Sequence, residues 1–239
     1  MDSSLDVIPL LNIGISFVPA LVVVGVLYRW TLEGRTAAYA VSRMVLQLLA
    51  VGYVLTFIFG ANEARGVLAT LAAMLLIASW IALRPVAHDR ISLYPKVLVS
   101  IGLGGVTTLA LVTQAVLAID VWHEARVVIP LAGMSFAASM NTVSLVVERY
   151  CAETHRQVWH ADARQIALRT ALIPQINSLF AVGLVAFPGM MTGQILSGVP
   201  PLIAVRYQIM VMAMLFGAAG ISAACFLFLE RPRSLAPSR

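Results

Sequence analysis

The chain has 239 residues, of which 60% are hydrophobic and only 11% are charged, against about 25% charged residues in an average soluble domain. A water-soluble protein of this length cannot hide so much apolar surface in one core. The formal net charge of +5 comes from residues clustered between long uncharged runs, a pattern that reports membrane orientation rather than nucleic-acid binding.

Seven uncharged runs follow one another along the chain, each with 18 or more residues. That length crosses about 30 Å of hydrocarbon as a helix, and the alternation typical of barrel strands is missing. The sequence therefore predicts a single permease domain over residues 1–239, an all-α integral membrane protein with about seven transmembrane helices. The predicted spans lie near residues 7–28, 44–62, 66–83, 97–119, 127–147, 170–187 and 207–229.

The basic residues predict the orientation of these spans. With the N-terminus outside and one crossing per run, thirteen basic residues fall inside and three outside, which is a strong positive-inside bias. The C-terminus then lies in the cytoplasm. The acidic start MDSSLD has no basic region and does not resemble a cleaved signal peptide. The outer basic residues are Arg65, Arg126 and Arg206; the inner ones are Arg29, Arg35, Arg43, Arg84, Arg90, Lys96, Arg149, Arg156, Arg164, Arg169, Arg231, Arg233 and Arg239.

Between the fourth and fifth spans, Asp120, His123 and Glu124 are spaced i, i+3 and i+4. One helical turn would bring an imidazole and two carboxylates together, so the segment is a weak candidate for a metal-loading site. The alternative is a solvated turn at the membrane interface.

The inner segment 148–169 contains no Gly or Pro, so we expect helix to continue through it. Arg149 and Glu153 are spaced as an i, i+4 ion pair. The segment is either a solvated helical hairpin or an element that receives force from a partner ATPase. The candidate coupling residues are Glu148, Arg149, Glu153, Arg156, Trp159 and Arg164.

The sixth uncharged run, 170–205, is long enough to cross once or twice. Two crossings would lower the basic count to eleven inside against five outside, so one crossing is favoured. The proline- and glycine-rich stretch AFPGMMTGQILSGVPP, 186–201, then forms a broken or re-entrant element on the outer side, near 188–201. Irregular backbone at membrane depth is tolerated only where protein or a cavity shields it.

No Asp, Glu, Lys or Arg lies inside the seven runs, so the titratable group that a proton-coupled carrier needs is missing. No Walker A motif or catalytic signature is present, which predicts a transport subunit that is not an enzyme and carries no cofactor. Uncharged polar groups do enter the spans, either as hydrogen bonds between helices or as a path for cargo. The path candidates are Gln47, Asn141, Gln175, Asn177, Pro188, Gly189, Met190, Met191, Thr192, Gly193, Gln194, Tyr207 and Gln208.

The stretch ALIPQINSLFAVGLVAFPGMMTGQILSGVPPLIAVRYQIMVM, 171–212, with IPLAGM and MNTVSLVVER near the fifth span, resembles the FetB-type iron-export permeases of the ATP-binding-cassette class. That family has relatives in plant aluminium tolerance. The similarity runs from about Ala40 to Leu229. It implies a separate cytosolic P-loop ATPase that binds the ATP, a permease homodimer, and a location in the inner (plasma) membrane among its lipids.

Two departures from the family pattern bear on these implications. Ala137 and Ala138 stand where the family usually has Gly-Asn. The inner loop is also shortened by roughly a dozen residues, so either Thr154–Arg164 docks the ATPase in reduced form, or the coupling is weak or goes to a different partner.

The sequence thus predicts the membrane subunit of an ATP-driven exporter of a metal, iron by resemblance, or of a metal complex. A hard cation prefers carboxylate oxygens, which the spans do not contain, so a small solute such as a nucleotide sugar is the first alternative. A non-transporting scaffold or sensor is the second. If the broken element acts in transport, Gly189→Leu or Gly193→Leu should abolish transport without preventing membrane insertion.

Overall fold

A computed structural model describes residues 9–31, 34–61 and 63–230. Within these residues the protein is all-helical, with nine α-helices and no β-strand apart from one isolated bridge between Val182 and Ala186. The helices are α1 Leu10–Ser16, α2 Val18–Trp30, α3 Gly34–Ala61, α4 Ala64–Ala82, α5 Arg90–Ala110, α6 Ala125–His155, α7 His160–Ala181, α8 Gly189–Leu196 and α9 Pro201–Leu229. Arg231, Arg233, Arg239 and the ends of the two predicted spans at residues 7–8 and 62 lie outside the described residues.

The chain divides into two compact units, Met1–Ala61 and Asn62–Arg239. In the first, called here the hairpin unit, α2 packs against α3. The second, called here the bundle unit, has α5, α6 and α9 at its centre. Helix α4 packs on α5 and α6, α7 packs mainly on α6 and α9, and α8 packs on α9. All the sites described below, except Gln47, lie in the bundle unit.

The centre of the bundle unit depends on glycine. A Cβ atom at Gly104 would lie 2.1 Å from Ser222 Oγ and 2.7 Å from the Ala218 carbonyl oxygen, and one at Gly105 would lie 2.6 Å from the Phe136 ring. Small residues let helices approach closely in a lipid environment, where the hydrophobic effect does not drive helices together. The two adjacent glycines therefore set the spacing of α5 from α9 on one side and from α6 on the other.

Two hydroxyl groups at the α5–α6 contact are bonded to backbone. Thr108 donates to the Gly104 carbonyl at 2.7 Å, within its own helix, and Ser135 on α6 donates to the Gly105 carbonyl on α5 at 3.1 Å. The Thr108 and Ser135 hydroxyl oxygens are 3.4 Å apart. Interhelical bonds of this kind contribute about 0.6–2 kcal/mol in membranes, so they add to the contact that the glycines permit.

The outer surfaces of the helices are apolar, as the composition predicts. Within the described part of the chain, five helical segments are long and apolar enough to cross a membrane: Leu11–Trp30, Ala64–Ala82, Arg90–Val116, Ala125–His155 and Pro201–Leu229. This confirms an all-helical membrane protein.

The remaining predicted spans correspond to α3, which has 28 residues, and to part of α7. Helix α7 carries Asp162, Arg164 and Arg169 in its first half. Its uncharged part, 170–181, reaches only about 18 Å at about 1.5 Å per residue, because the helix ends at Ala181 rather than near the predicted residue 187.

One ion pair joins the ends of two central helices. Lys96 Nζ, near the start of α5, lies 3.0 Å from Glu230 Oε2, which follows the end of α9. The pair is partly buried, with the Glu230 side chain 11% exposed. It links the antiparallel helices α5 and α9 at the end that the basic-residue pattern assigns to the cytoplasm.

Candidate functional site

The broken element predicted from its prolines and glycines is present. After α7 the chain turns through residues 182–186, where Gly183 has φ +81°, and Pro188 caps the eight-residue helix α8. Gly198, at φ +89°, and Pro200 then separate α8 from α9. At about 1.5 Å per residue, α8 reaches about 12 Å, which is less than half of the hydrocarbon thickness.

A cavity of ≈ 470 Å³ lies where α8 meets the adjoining ends of α6 and α9. Its wall includes three residues that the sequence predicts for a cargo path: Met190, Gln194 and Tyr207. The cavity is at the opposite end of α5 from the Lys96–Glu230 pair, because it is lined by Leu117, which follows the π-helical continuation of α5 at Leu111–Val116. The full lining is Leu117, Arg126, Val127, Pro130, Leu131, Met134, Met190, Gln194, Tyr207 and Met210.

The cavity wall has one charged side chain, that of Arg126, and three thioethers, those of Met134, Met190 and Met210. None of the ten lining residues is an acid or a histidine. Gln194 Oε1 is buried, and no hydrogen-bond partner for it lies within the described residues. The wall is therefore apolar and polarizable, with a localised positive charge and an unsatisfied acceptor.

The backbone beside the cavity departs from regular helix in two places. Pro130, in the second turn of α6, has no N–H to donate to the Arg126 carbonyl four residues earlier. On the α5 side, Leu111–Val116 is a π-helical segment, and Ala118 follows with φ +46°. A π-helical turn and a left-handed non-glycine residue are both uncommon, and both occur preferentially at functional sites.

Sequence reasoning did not assign Arg126, Pro130 and Met134 to this site. In the sequence, Arg126 indicates only the orientation in the membrane, as one of three basic residues on the outer side. Pro130 and Met134 belong to the IPLAGM motif, which indicates only the family resemblance. A proline in the second turn of a span, four residues after a lone arginine, is the signal that was available. That these residues lie beside α8 follows only from the tertiary contact between the two helices, which residue spacing along the chain does not predict.

The other path candidates are spread over the molecule. Asn141 on α6 and Asn177 on α7 are exposed, whereas Gln175 Nε2 lies 3.5 Å from Thr142 Oγ1. Gln208 is 6% exposed, and within the described residues its Oε1 has no partner. Gln47 is exposed on α3 of the hairpin unit; in one amide orientation its oxygen accepts from Arg43 Nε at 3.0 Å.

The remaining candidates lie on α8 itself. Thr192 Oγ1 donates to the carbonyl of Pro188 at 3.2 Å, and Met191 is half-buried. Space for a side chain is open at Gly189 and Gly193, both at ordinary backbone angles. Their substitution would act on a ligand or a partner rather than on the folding of α8.

The inner segment forms a helical hairpin. Helix continues to His155, turns at Arg156–Trp159 and restarts at His160, with Gln157 at φ +61°. Tyr150 Oη lies 2.9 Å from His160 Nδ1 across the turn. Ala163, Ala167 and Ala171 are completely buried along α7, which packs on α6.

The Arg149–Glu153 ion pair on this hairpin forms as the i, i+4 spacing predicts. Glu153 is only 4% exposed, and its Oε1 lies 2.7 Å from Arg149 and 3.7 Å from Arg156. Trp159, beside the turn, is 72% exposed. Glu148 is exposed, and Arg164 is half-buried. The hairpin is thus internally braced and presents an aromatic side chain at its tip.

The helical turn on which the candidate metal site at Asp120, His123 and Glu124 depends does not form. Residues 117–124 do not form a helix, so the predicted i, i+3, i+4 turn is absent. In the described ranges, no three His, Cys, Asp or Glu side chains are grouped so that they could hold a metal ion. The His123 ring stacks edge-on against Trp122, with ring centroids 5.0 Å apart.

Comparison of the sequence with known proteins identifies its family. The family model described as "Uncharacterised protein family (UPF0014)" matches residues 10–234. A protein of Escherichia coli named "Probable iron export permease protein FetB" is 33% identical, over 79% of this chain and 78% of that protein. The rice protein "UPF0014 membrane protein STAR2" is 33% identical, over 85% of this chain and 75% of its own.

An Arabidopsis thaliana relative, "Protein ALUMINUM SENSITIVE 3", is 30% identical, over 84% of this chain and 78% of its own. No solved structure matches.

Proposed function

The chain belongs to the UPF0014 family of membrane permeases, and we propose that it is the membrane-spanning subunit of an ATP-binding-cassette exporter. It crosses the inner (plasma) membrane seven times, with its C-terminus in the cytoplasm and α8 as a re-entrant element on the outer side. A separate cytosolic ATPase binds and hydrolyses the ATP. This subunit has no catalytic role and acts as one half of a homodimer.

The observation that carries the proposal is the braced hairpin at the inner end of α6 and α7. Glu153 pairs with Arg149 and Arg156, and the Tyr150–His160 contact at 2.9 Å spans the turn. A tryptophan that is 72% exposed at such a tip is typical of an anchor for a protein partner. A braced hairpin that is continuous with α6 and α7 can transmit a conformational change of the ATPase to those helices.

The cargo is a metal or metal complex, with iron first because the name of the Escherichia coli relative specifies iron export. A small organic solute is the second cargo candidate. The absence of acids and histidines from the ten residues of the cavity wall favours a complex or a solute over a hydrated ion.

A pull-down from native membranes tests the coupling. The wild-type chain, purified in mild detergent, should retain an ATPase subunit and stimulate its ATP turnover. Trp159→Ala should reduce the retained ATPase at least tenfold, because a fully desolvated tryptophan anchor contributes about 2 kcal/mol or more.

The matched control is Trp122→Ala on the outer side, where the tryptophan is 49% exposed; this variant should retain the ATPase fully. A wild-type chain that neither retains nor stimulates an ATPase would instead be a scaffold or sensor. Uphill transport by the chain alone in liposomes, driven by a pH or sodium gradient, would also contradict the proposal.

A further inference from the structure

The charge of the cavity beside α8 restricts what it can accept. Arg126 is the one ionised side chain among its ten lining residues, and no acid or histidine accompanies it. A bare divalent cation would meet a positive charge without the oxygen or imidazole ligands that such ions require. A guanidinium instead pairs with carboxylate or phosphate through two parallel hydrogen bonds.

The same wall also contains a buried acceptor without a donor. Gln194 Oε1 has no hydrogen-bond partner in the described residues. The Tyr207 hydroxyl can donate or accept. An unsatisfied buried acceptor is costly, so a ligand that carries hydroxyl groups as well as an anionic group suits this wall.

The thioethers of Met134, Met190 and Met210 raise a rival. Three such sulfurs could hold a soft monovalent metal, but Arg126 in the same wall opposes any cation. Methionine is also the residue that most readily packs against a ligand of irregular shape. The thioethers therefore serve as the polarizable wall, and Arg126 determines the sign of the ligand.

We infer that this cavity binds a hydroxylated organic anion, and that any metal this protein carries enters it as an anionic chelate rather than as a bare cation. The inference rests on the proposed transport function and assigns its substrate class. Arg126 binds the anionic group, and Gln194 and Tyr207 bind the hydroxyls.

Binding to the purified chain in detergent tests the inference without an ATPase. The probe is citrate, which has three carboxylates and one hydroxyl, and calorimetry measures its affinity. Arg126→Gln should weaken binding at least tenfold. Arg126→Lys keeps the positive charge but cannot donate two parallel hydrogen bonds to a carboxylate, so it should weaken binding about threefold. Arg206→Gln removes an arginine on α9 that is exposed, as Arg126 is, but lies outside the cavity, and it should leave the affinity unchanged.

Several results would overturn the inference. One is an equal loss of citrate affinity in Arg126→Gln and Arg206→Gln, which would indicate non-specific attraction to positive charge rather than binding in the cavity. Another is binding of silver or ferrous ion that tightens in Arg126→Gln. A third is citrate binding that is present in nanodiscs of neutral lipid and lost when phosphatidic acid is added, since an anionic headgroup without hydroxyls would then occupy the cavity.

The inference and the proposed function fail separately. ATP-dependent export of uncomplexed ferrous ion would support the proposed exporter and contradict the anion site. Arg126-dependent citrate binding by a chain that couples to no ATPase would support the anion site and contradict the proposed exporter.

Discussion

Gly104 shows how much a single position determines at the centre of the bundle unit. Its missing side chain leaves room for Ser222 Oγ and for the Ala218 carbonyl oxygen, both of which lie closer to the ideal Cβ position than real Cβ contacts allow. The Ala218 atom belongs to backbone, so α9 itself would have to move to accommodate a methyl group. Two positions earlier, a methyl at Gly102 would meet only Leu75 Cδ2, at an ordinary 3.6 Å.

We therefore expect Gly104→Ala to lower the free energy of unfolding by about 1–3 kcal/mol, the cost of overpacking a tight contact. Gly102→Ala should be neutral or stabilising by up to about 1 kcal/mol, because alanine is the better helix former. Thermal unfolding of both variants in the same detergent measures the difference. Equal midpoints would mean that α5 and α9 do not approach as closely as the structure has them.

At this scale the sequence gives residue types but not their neighbours. The Arg149–Glu153 pair was predictable because both residues lie on one helix at a spacing that makes them meet. Arg126 was not, since its role depends on α8 lying beside α6. The Asp120–His123–Glu124 prediction is a different case: it rests on a local helical turn that the chain does not form.

Among the elements, α8 owes its short length to the residues at its two ends. Pro188 starts it, and Gly198 ends the turn after it in the left-handed region at φ +89°. The prolines and glycines of this stretch made the breaks predictable. The sequence could not tell which glycines the backbone requires: Gly189 and Gly193 have ordinary angles and open space, whereas Gly183 and Gly198 have positive φ.

Gly198→Ala should destabilise the protein by about 1–2 kcal/mol, the cost of a left-handed L-residue. Gly193→Ala lies within α8 and should stabilise it by up to about 1 kcal/mol through helix propensity. The two substitutions add the same methyl group five residues apart, so opposite shifts of the unfolding midpoint isolate the backbone angle. Shifts of the same sign would contradict this account of how α8 ends.

For the molecule as a whole, composition alone predicted an all-helical membrane protein, because apolar runs of this length have few other stable forms. The ends of the helices were less predictable. Helix α7 begins at His160, ahead of the predicted span, and its first turns include charged residues. It ends at Ala181 rather than near the predicted residue 187. Periodicity carries no information on such helix ends when nearly every residue is apolar.

The predicted orientation can be checked in a variant without Cys151 and Cys225. Asp120→Cys and His155→Cys place single thiols at exposed positions near opposite ends of the bundle unit. In intact cells a membrane-impermeant maleimide should react with the first and should reach the second only after permeabilisation, as the positive-inside bias requires. The opposite pattern would reverse the assignment of the hairpin to the ATPase side.

The pairing of Lys96 with Glu230 gives the protein a natural reporter. Lys96 is the only lysine in the chain, and its ammonium is held 3.0 Å from the carboxylate that follows α9. An amine reagent therefore has a single side-chain target, whose rate of modification will rise whenever the ends of α5 and α9 separate. In the proposed assembly with an ATPase, added nucleotide would then change the acylation rate at the single lysine of this chain, measured on this subunit alone by mass spectrometry and with no engineered label.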